Sequence, residues 1–214
     1  MAFIGKKPTD APLTSSDIAD GIITNAKLAQ DIISGDTALG AEPASTDELL
    51  LSDAGTLKRI DYTLITNAPA FEAHLSGNQS ISDNTATKVQ CNTELFDTGG
   101  MYDNSTNYRF TPTVAGKYFV YGTICSFGGD AANELNMSRV FIYKNGSLYK
   151  DSYSDYSGSP IYSKADFNGA VIDMNGSSDY VELYGQVDGI SAGSEVFLAS
   201  DKNTAFGAYK LTGV

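Results

Sequence analysis

The chain has 214 residues, a mass of 22.7 kDa and a formal net charge of −12 at pH 7, with 14 Lys and Arg against 26 Asp and Glu. That balance lacks the clustered cations that neutralise phosphate, which excludes nucleic acid as a partner and disfavours an anionic membrane surface. Hydrophobic residues make up 42%, enough to fill a core, so disorder over the whole length is excluded.

Aromatic residues divide the chain near residue 70. There are 10 Phe, 13 Tyr and no Trp, and only Phe3 and Tyr62 precede Phe71. The first part cannot build an aromatic core and the second can. From Thr14 to Gly40, apolar residues recur singly or in pairs at Ile18, Ile22/Ile23, Leu28, Ile32/Ile33 and Leu39. Steps of that kind fit neither a long helix nor one strand. Asp17–Gly21 and Asp31–Asp36 form a degenerate repeat, and Asn25–Ile33 is expected to be a short helix. Such a segment cannot bury its apolar side chains against itself. It needs neighbouring chains or a docking surface, and is expected to be unordered before assembly. Met1–Asp20 has no apolar h-region, so we expect a protein that is not exported through a signal peptide. No run approaches the ~20 apolar residues of a membrane span.

After Pro43, Glu48–Leu51 and Thr56–Ile60 flank Asp53-Ala54-Gly55 and predict a hairpin. An isolated hairpin is marginal in water, so this one is expected to pack on copies of itself or on the next domain.

From Phe71 onward, short runs alternate with clusters of Gly, Asn, Asp and Ser. The expected strands are Ala86–Cys91, Tyr108–Phe110, Gly116–Cys125, Asn136–Lys144, Ser147–Lys150, Tyr162–Ala165, Phe167–Met174, Asp179–Val187 and Ala205–Leu211. Asn145-Gly146 is the strongest hairpin signal, because both central residues of a type I′ turn need positive φ. Asn175-Gly176 offers a similar turn. No helical pattern competes, so the fold class is all-β, a jelly-roll sandwich.

Five segments, in order, resemble the jelly-roll family of the complement-one-q globular head and tumour necrosis factor. Phe96–Asp103 is similar to the loop before the family's central strand. Phe110–Val120 matches its F-T-P-x-x-A-G-x-Y segment, and Phe141–Gly146 its I-x-K-N-G hairpin. Ala170–Val187 resembles its strand–turn–strand, with Ser177-Ser178-Asp179 where the family has Gly-Asp. Ala205–Gly213 is similar to its closing F-x-G-x-x-L strand. Pro112 presets φ ahead of the central strand and Gly116 permits the sharp turn into it. The resemblance implies a homotrimer, and makes Tyr118, Phe119, Tyr121, Phe206 and Tyr209 candidates for core packing or for a threefold interface.

The N-terminal part resembles bacteriophage tail-fibre and virion-fibre proteins, through Phe3–Thr9 with Thr14–Lys27 and through Asp47–Asp53 with Leu57–Ile60. That resemblance implies docking on other virion proteins, of tail or capsid, through Phe3, Ile4, Ile18, Ile22, Leu28 and Ile32. It also implies assembly in the host cytoplasm.

Catalytic chemistry finds little to work with. The chain has one histidine, His74, in a linker-like stretch before the first expected strand, and no nucleophile elbow. Asp151, Asp155, Asp166 and Asp173 could supply carboxylates for glycan hydrolysis, but nothing in their spacing singles out a pair. Asp97, Asp103, Asp130 and Asp173 are loop acids suited to calcium, without EF-hand spacing. Cys91 and Cys125 have no metal-ligand spacing and read as reduced, buried thiols. We therefore expect no enzyme, no metal and no cofactor. Asp151–Tyr162, rich in Tyr and Ser, has the chemistry of adaptable recognition loops. Its Tyr153, Asp155, Tyr156 and Tyr162 are the candidates for host contact.

These readings combine into residues 1–42 as a virion-docking and shaft segment, 43–70 as a β-hairpin neck and 71–214 as a jelly-roll knob. The expected function is a structural phage fibre, a trimeric knob binding a glycan or protein on the host surface without entering the membrane. The alternative is a capsid-attached head fibre or decoration protein.

Overall fold

The computed structural model describes residues 37–41, 43–44, 46–62, 65–129, 133–191, 193 and 195–212. The chain divides into two units, Met1–Ala44 and Ser45–Val214, and every described strand belongs to the second. The six N-terminal docking candidates, the expected Asn25–Ile33 helix and the question of N-terminal order lie outside the described residues. So does Asp130.

The predicted hairpin is present. Strands β1 (Glu48–Asp53) and β2 (Thr56–Asp61) pair antiparallel from Glu48↔Asp61 to Asp53↔Thr56. Ala54 and Gly55 both take positive φ, 48° and 87°, as a two-residue type I′ turn requires. Cross-strand ion pairs join Lys58 to Asp53 and Arg59 to Glu48. Leu49 and Leu51 with Ile60 occupy one face, and Leu50 with Leu57 the other. Leu50 and Leu57 are 71% and 68% exposed.

Thirteen further strands build a sandwich: β3 (Ala70–His74), β4 (Gln79–Ser80), β5 (Thr87–Lys88), β6 (Thr93–Asp97), β7 (Tyr102–Asp103), β8 (Arg109–Phe110), β9 (Gly116–Phe127), β10 (Leu135–Lys144), β11 (Ser147–Asp155), β12 (Ser163–Met174), β13 (Val181–Gly189), β14 (Val196–Phe197) and β15 (Ala205–Lys210). The first sheet runs β11-β10-β13-β8-β7, with β5 also on β13. The second runs β4-β14-β9-β15-β3-β6, with β12 along the free side of β9. Every pairing is antiparallel, and the class is the all-β jelly-roll sandwich expected from sequence. Among the described residues the helical turns include a 3-10 turn at Ser200–Lys202, and no helix is long and apolar enough to cross a membrane.

The core follows from alternation along the long strands. Tyr118, Val120 and Ile124 of β9, Phe206 and Ala208 of β15, and Phe71 and Ala73 of β3 point inward from the second sheet. Val140 and Ile142 of β10 and Val181, Leu183 and Val187 of β13 meet them from the first. Phe71 is the hub: its ring stacks on Tyr102 at 4.4 Å and Phe110 at 4.7 Å, and meets Phe206 edge-on at 5.1 Å. Two inward glycines let the sheets approach. A Cβ on Gly122 would stand 2.3 Å from Leu183 Cδ1, and one on Gly185 would stand 2.6 Å from the Phe197 ring.

The β11–β12 edge is stitched by polar groups. Buried Asp166 accepts from Ser138 Oγ and, at 2.9 Å, from Ser154 Oγ. Asn168 Nδ2 donates to the carbonyls of Val140 at 2.9 Å and Lys150 at 3.1 Å. The buried polar groups are thereby partnered and cost little.

Several expectations need correction. Tyr162–Ala165 and Phe167–Met174 are one strand, β12, because their side chains keep alternate facings through Asp166 along the whole of β9. Strands β3, β4, β6, β7 and β14 are additions to the expected set. Each is short or carries charge, so the period-2 signal is weak. His74 is not in a linker but ends β3, opposite Ala205 and Thr93, with Nδ1 2.9 Å from the Leu75 carbonyl. The Asn145-Gly146 turn is type I′, with φ of 52° and 76°. The Asn175-Gly176 turn is not, since positive φ occurs there only at Gly176. Asn175 Oδ1 instead gathers the N–H groups of Ser177, Ser178 and Asp179, the Asx geometry by which asparagine makes a turn locally.

Candidate functional site

Each sheet has an outer face, and the two differ in chemistry. On the second sheet, alternation turns Phe119, Tyr121, Thr123 and Phe127 of β9 outward, with Phe167, Gly169 and Val171 of β12 and Gly207 and Tyr209 of β15. Phe119, Tyr121 and Tyr209 form a cluster, with ring centroids 5.7 to 6.5 Å apart. Glycine makes the cluster flat. A Cβ on Gly207 would stand 2.5 Å from the Tyr121 ring, and one on Gly169 would stand 2.9 Å from Phe119 and 3.1 Å from Phe167. The aromatic rings thus lie down over bare backbone instead of standing off the sheet. Tyr121 donates to Glu72 Oε2 at 2.7 Å. Burial, and then that carboxylate, raise its phenol pKa. Phe167 is 55% exposed, and Val171 and Phe96 are nearly as open. A contiguous apolar area of this kind marks an interaction surface.

The five residues named from the jelly-roll resemblance separate on these two sides. Tyr118 and Phe206 are fully buried core residues. Phe119, Tyr121 and Tyr209 are outward and form the aromatic cluster. A period-2 reading of Lys117–Phe127 separates Tyr118 from Phe119 and Tyr121. It gives no sign of Gly169 and Gly207 beneath the rings, because those contacts lie across strands distant in sequence.

The outer face of the first sheet alternates aromatic, cationic and acidic side chains. Tyr143 stacks on Tyr184 at 4.3 Å. Lys88 lies 5.7 Å from the Tyr184 ring centre and pairs with Glu182 at 2.5 Å. Arg139 lies over Phe141 at 4.9 Å and Tyr153 at 5.5 Å, and pairs with Asp151. Arg109 lies over Tyr180 at 4.5 Å. At this end a cavity of about 540 Å³ opens between Gly99–Asp103 and Thr111–Thr113, with Arg109 on its wall. Asp103 accepts from the N–H groups of Ser105, Thr106 and Asn107 and from Asn107 Nδ2 at 2.7 Å. Those bonds, Thr106 first, hold its carboxyl well below the ordinary range.

The four candidates for host contact divide into two pairs: Tyr153 and Asp155 interact through their side chains on β11, and Tyr156 and Tyr162 lie in the connection from β11 to β12. Tyr153 and Asp155 belong to strand β11, which runs on past Lys150. Ser and Tyr alternate there as well as they would in a loop, which hides the strand in the sequence. Tyr153 faces outward on the first sheet, while Asp155 accepts from Ser157 N at 2.8 Å. Tyr156 packs partly against the core, and Tyr162 meets Phe127 at 4.9 Å on the second sheet's outer side.

The carboxylates considered for catalysis or calcium are dispersed. Asp151 pairs with Arg139, Asp173 with Lys117 at 2.7 Å, and Asp97 accepts from Tyr102 N at 2.9 Å. Among the described residues no group of three His, Cys, Asp or Glu is placed to hold a metal ion. Cys91 and Cys125 are free and buried, and burial pushes both thiols up.

No protein-family model and no curated protein sequence matches the chain. Solved structures that are similar to it include murine APRIL, at 14% identity and a TM-score of 0.48, covering 66% of this chain and 98% of that one. The globular domain of zebrafish complement 1qA protein is similar at 15% identity and a TM-score of 0.46, covering 67% and 97%. Eiger TNF from S. frugiperda is similar at 13% identity and a TM-score of 0.46, covering 68% and 93%.

Proposed function

We propose that this chain is a non-enzymatic virion fibre of a bacteriophage, a homotrimer whose jelly-roll knob binds the host cell surface. The observation that carries the reading is the flat aromatic face of the second sheet. Phe119 and Tyr121 lie over glycine backbone, with Tyr209 against them and exposed Phe167 and Val171 alongside. Solvent contact with that much apolar area costs roughly 25 cal/mol for each Å² left uncovered. Copies of the same chain cover it when three knobs meet with their second sheets turned inward. The exposed leucines of the β1–β2 hairpin support the same reading, since an isolated two-stranded hairpin is marginal and copies stack to bury both faces. Docking of the N-terminal segment on the virion, and assembly in the host cytoplasm, rest on the fibre resemblance of that segment. Binding is multivalent: three weak sites on each knob and several knobs on each particle give avidity without tight single contacts.

Light scattering on the full chain tests the assembly. The expected mass is that of a trimer. Tyr209→Glu places a charge in the aromatic cluster and is expected to release monomers whose far-ultraviolet circular dichroism is unchanged. A monomeric parent chain, or a trimer indifferent to Tyr209→Glu and to Phe167→Glu, overturns the reading.

A further inference from the structure

We propose that the outer face of the first sheet, opposite the assembly face, is a binding site for an oligosaccharide that carries carboxylate groups, with Arg109 as its anchor. The proposal deepens the recognition half of the proposed function and rests on it: knobs joined through their second sheets leave this face turned outward.

Three observations converge on Arg109. The first is its unspent charge. The chain has three arginines; Arg59 and Arg139 face Glu48 and Asp151, whereas among the described residues Arg109 makes no ion pair. Its cross-strand neighbours are both acids, Asp103 on β7 and Glu182 on β13, and both are turned to other partners. Asp103 accepts five hydrogen bonds from its own turn, and Glu182 pairs with Lys88 through Oε1. The second is preorganisation. The guanidinium is held 4.5 Å over the Tyr180 ring, so its planar fork is oriented before a ligand arrives. A carboxylate meets such a fork with two parallel hydrogen bonds. The third is space. Arg109 lines the cavity of about 540 Å³ together with Thr111, Thr113 and Asp103, whose carboxyl oxygens are turned to the N–H groups of its own turn.

The rest of the face selects a saccharide over other carriers of carboxylate. Stacked Tyr143 and Tyr184 lie in the adjoining cross-strand rows, Tyr143–Glu182–Arg109 and Phe141–Tyr184–Lys88. Aromatic faces match the C–H faces of pyranose rings, while edges rich in paired donors and acceptors match ring hydroxyls. Lys88 and Arg139 are offset by Glu182 and Asp151, so the face lacks the uniform positive field that recruits polyanions by charge alone.

Calorimetric titration of the full chain tests this, with oligogalacturonate, a neutral maltohexaose and hexaglutamate as probes. Oligogalacturonate is expected to bind, and maltohexaose to bind about tenfold more weakly or not at all. Arg109→Gln is expected to weaken oligogalacturonate binding about tenfold, whereas Lys164→Gln, on a different edge, is expected to leave it unchanged. If Arg109→Gln fails to fold, Tyr180→Leu, which removes the ring beneath the guanidinium, decides by the same loss. The proposal is overturned if oligogalacturonate does not bind, if its affinity ignores both variants, or if hexaglutamate binds equally well. A trimer that binds none of the probes overturns this site and leaves the assembly reading standing. A monomer that binds oligogalacturonate through Arg109 does the reverse.

Discussion

The ring of Tyr121 lies on the backbone of Gly207, so close that a Cβ added to Gly207 would stand 2.5 Å from it. The two residues are register partners on β9 and β15, on the outer face of the second sheet. Replacing Gly207 by Ala forces the ring up and pulls its hydroxyl off Glu72. Surface rings can swing, so the expected cost to the folded chain is about 1 kcal/mol, the size of the hydrogen bond lost. The larger effect is expected in sedimentation, where a raised ring leaves a bump on the flat face and the trimer dissociates at higher concentration. A Gly207→Ala chain with unchanged assembly would sink the link between flatness and self-association.

Gly122, next to Tyr121 on β9 and on the opposite face, has no such relief. The methyl of Gly122→Ala would meet Leu183, which is fully buried between the sheets. Overpacking of a filled core costs about 1–3 kcal/mol, and urea denaturation is expected to show the upper part of that range. A smaller loss than Gly207→Ala would mean that the sheets separate easily at this point.

Phe71 contacts three other rings, and its loss is expected to be among the most damaging. Phe71→Ala removes stacking on Tyr102 and Phe110 and leaves a cavity beneath Phe206. Core Phe→Ala changes cost about 3–5 kcal/mol, against a total of ~5–15 kcal/mol for a typical domain. Thermal unfolding is expected about 6–20 °C below that of the parent, and Phe71→Leu is expected to recover most of the difference.

Phe71 also marks where sequence reading stops. Alternation in Gly116–Phe127 and Asn136–Lys144 exposes both long strands, and the Asn145-Gly146 pair fixes the hairpin that follows β10. Those signals are local. Phe71 lies in a strand, β3, of five residues that includes Glu72 and His74, and the strand's neighbours, β15 and β6, come from other parts of the chain. Nothing local distinguishes such a strand from a linker, which is why the sequence alone leaves His74 outside the sheet. The same holds for the faces. Tyr121 and Tyr209 are legible as aromatic and alternate, but Arg109 is a single cation in a two-residue strand. Its importance comes from Tyr180 below it and from two neighbouring acids already engaged elsewhere. Those relations exist only after folding.

The turn after β7 gives a prediction for acid. Asp103 is held below its ordinary pKa mainly by the Thr106 N–H, with further bonds from Ser105 and Asn107. A carboxyl depressed in the folded state stabilises it above the unfolded value of about 3.9, and the stabilisation is lost as pH falls through the folded value. Asp103→Ala is expected to cost about 1 kcal/mol at neutral pH, a usual amount for a side chain that caps several N–H groups. The gap between parent and variant is expected to close below about pH 4. A constant gap from pH 7 downward would show that the turn, not the charge, carries the effect.

The tyrosines with raised phenols predict the opposite limit. Burial raises the phenols of Tyr102 and Tyr118, and burial with Glu72 raises Tyr121. Each also donates from its hydroxyl: Tyr102 to the Cys91 carbonyl at 2.9 Å, Tyr118 to the Val114 carbonyl at 2.7 Å and Tyr121 to Glu72 at 2.7 Å. A group whose pKa is raised on folding contributes stability that is fully present below its unfolded pKa, about 10 for tyrosine. That contribution is lost as pH rises from there toward the folded value. Urea midpoints are therefore expected to fall above about pH 10, with the slope set by the number of protons these groups retain. Ultraviolet titration is expected to show two populations among the 13 tyrosines. The buried Tyr102 and Tyr118 ionise only together with loss of the near-ultraviolet circular dichroism signal. Tyr118→Phe removes one retained proton and one hydrogen bond. It is expected to lower stability by about 1 kcal/mol at neutral pH, yet to make the alkaline decline shallower. A single titration with the fold intact, or a Tyr118→Phe decline as steep as the parent's, would show that these hydroxyls reach solvent.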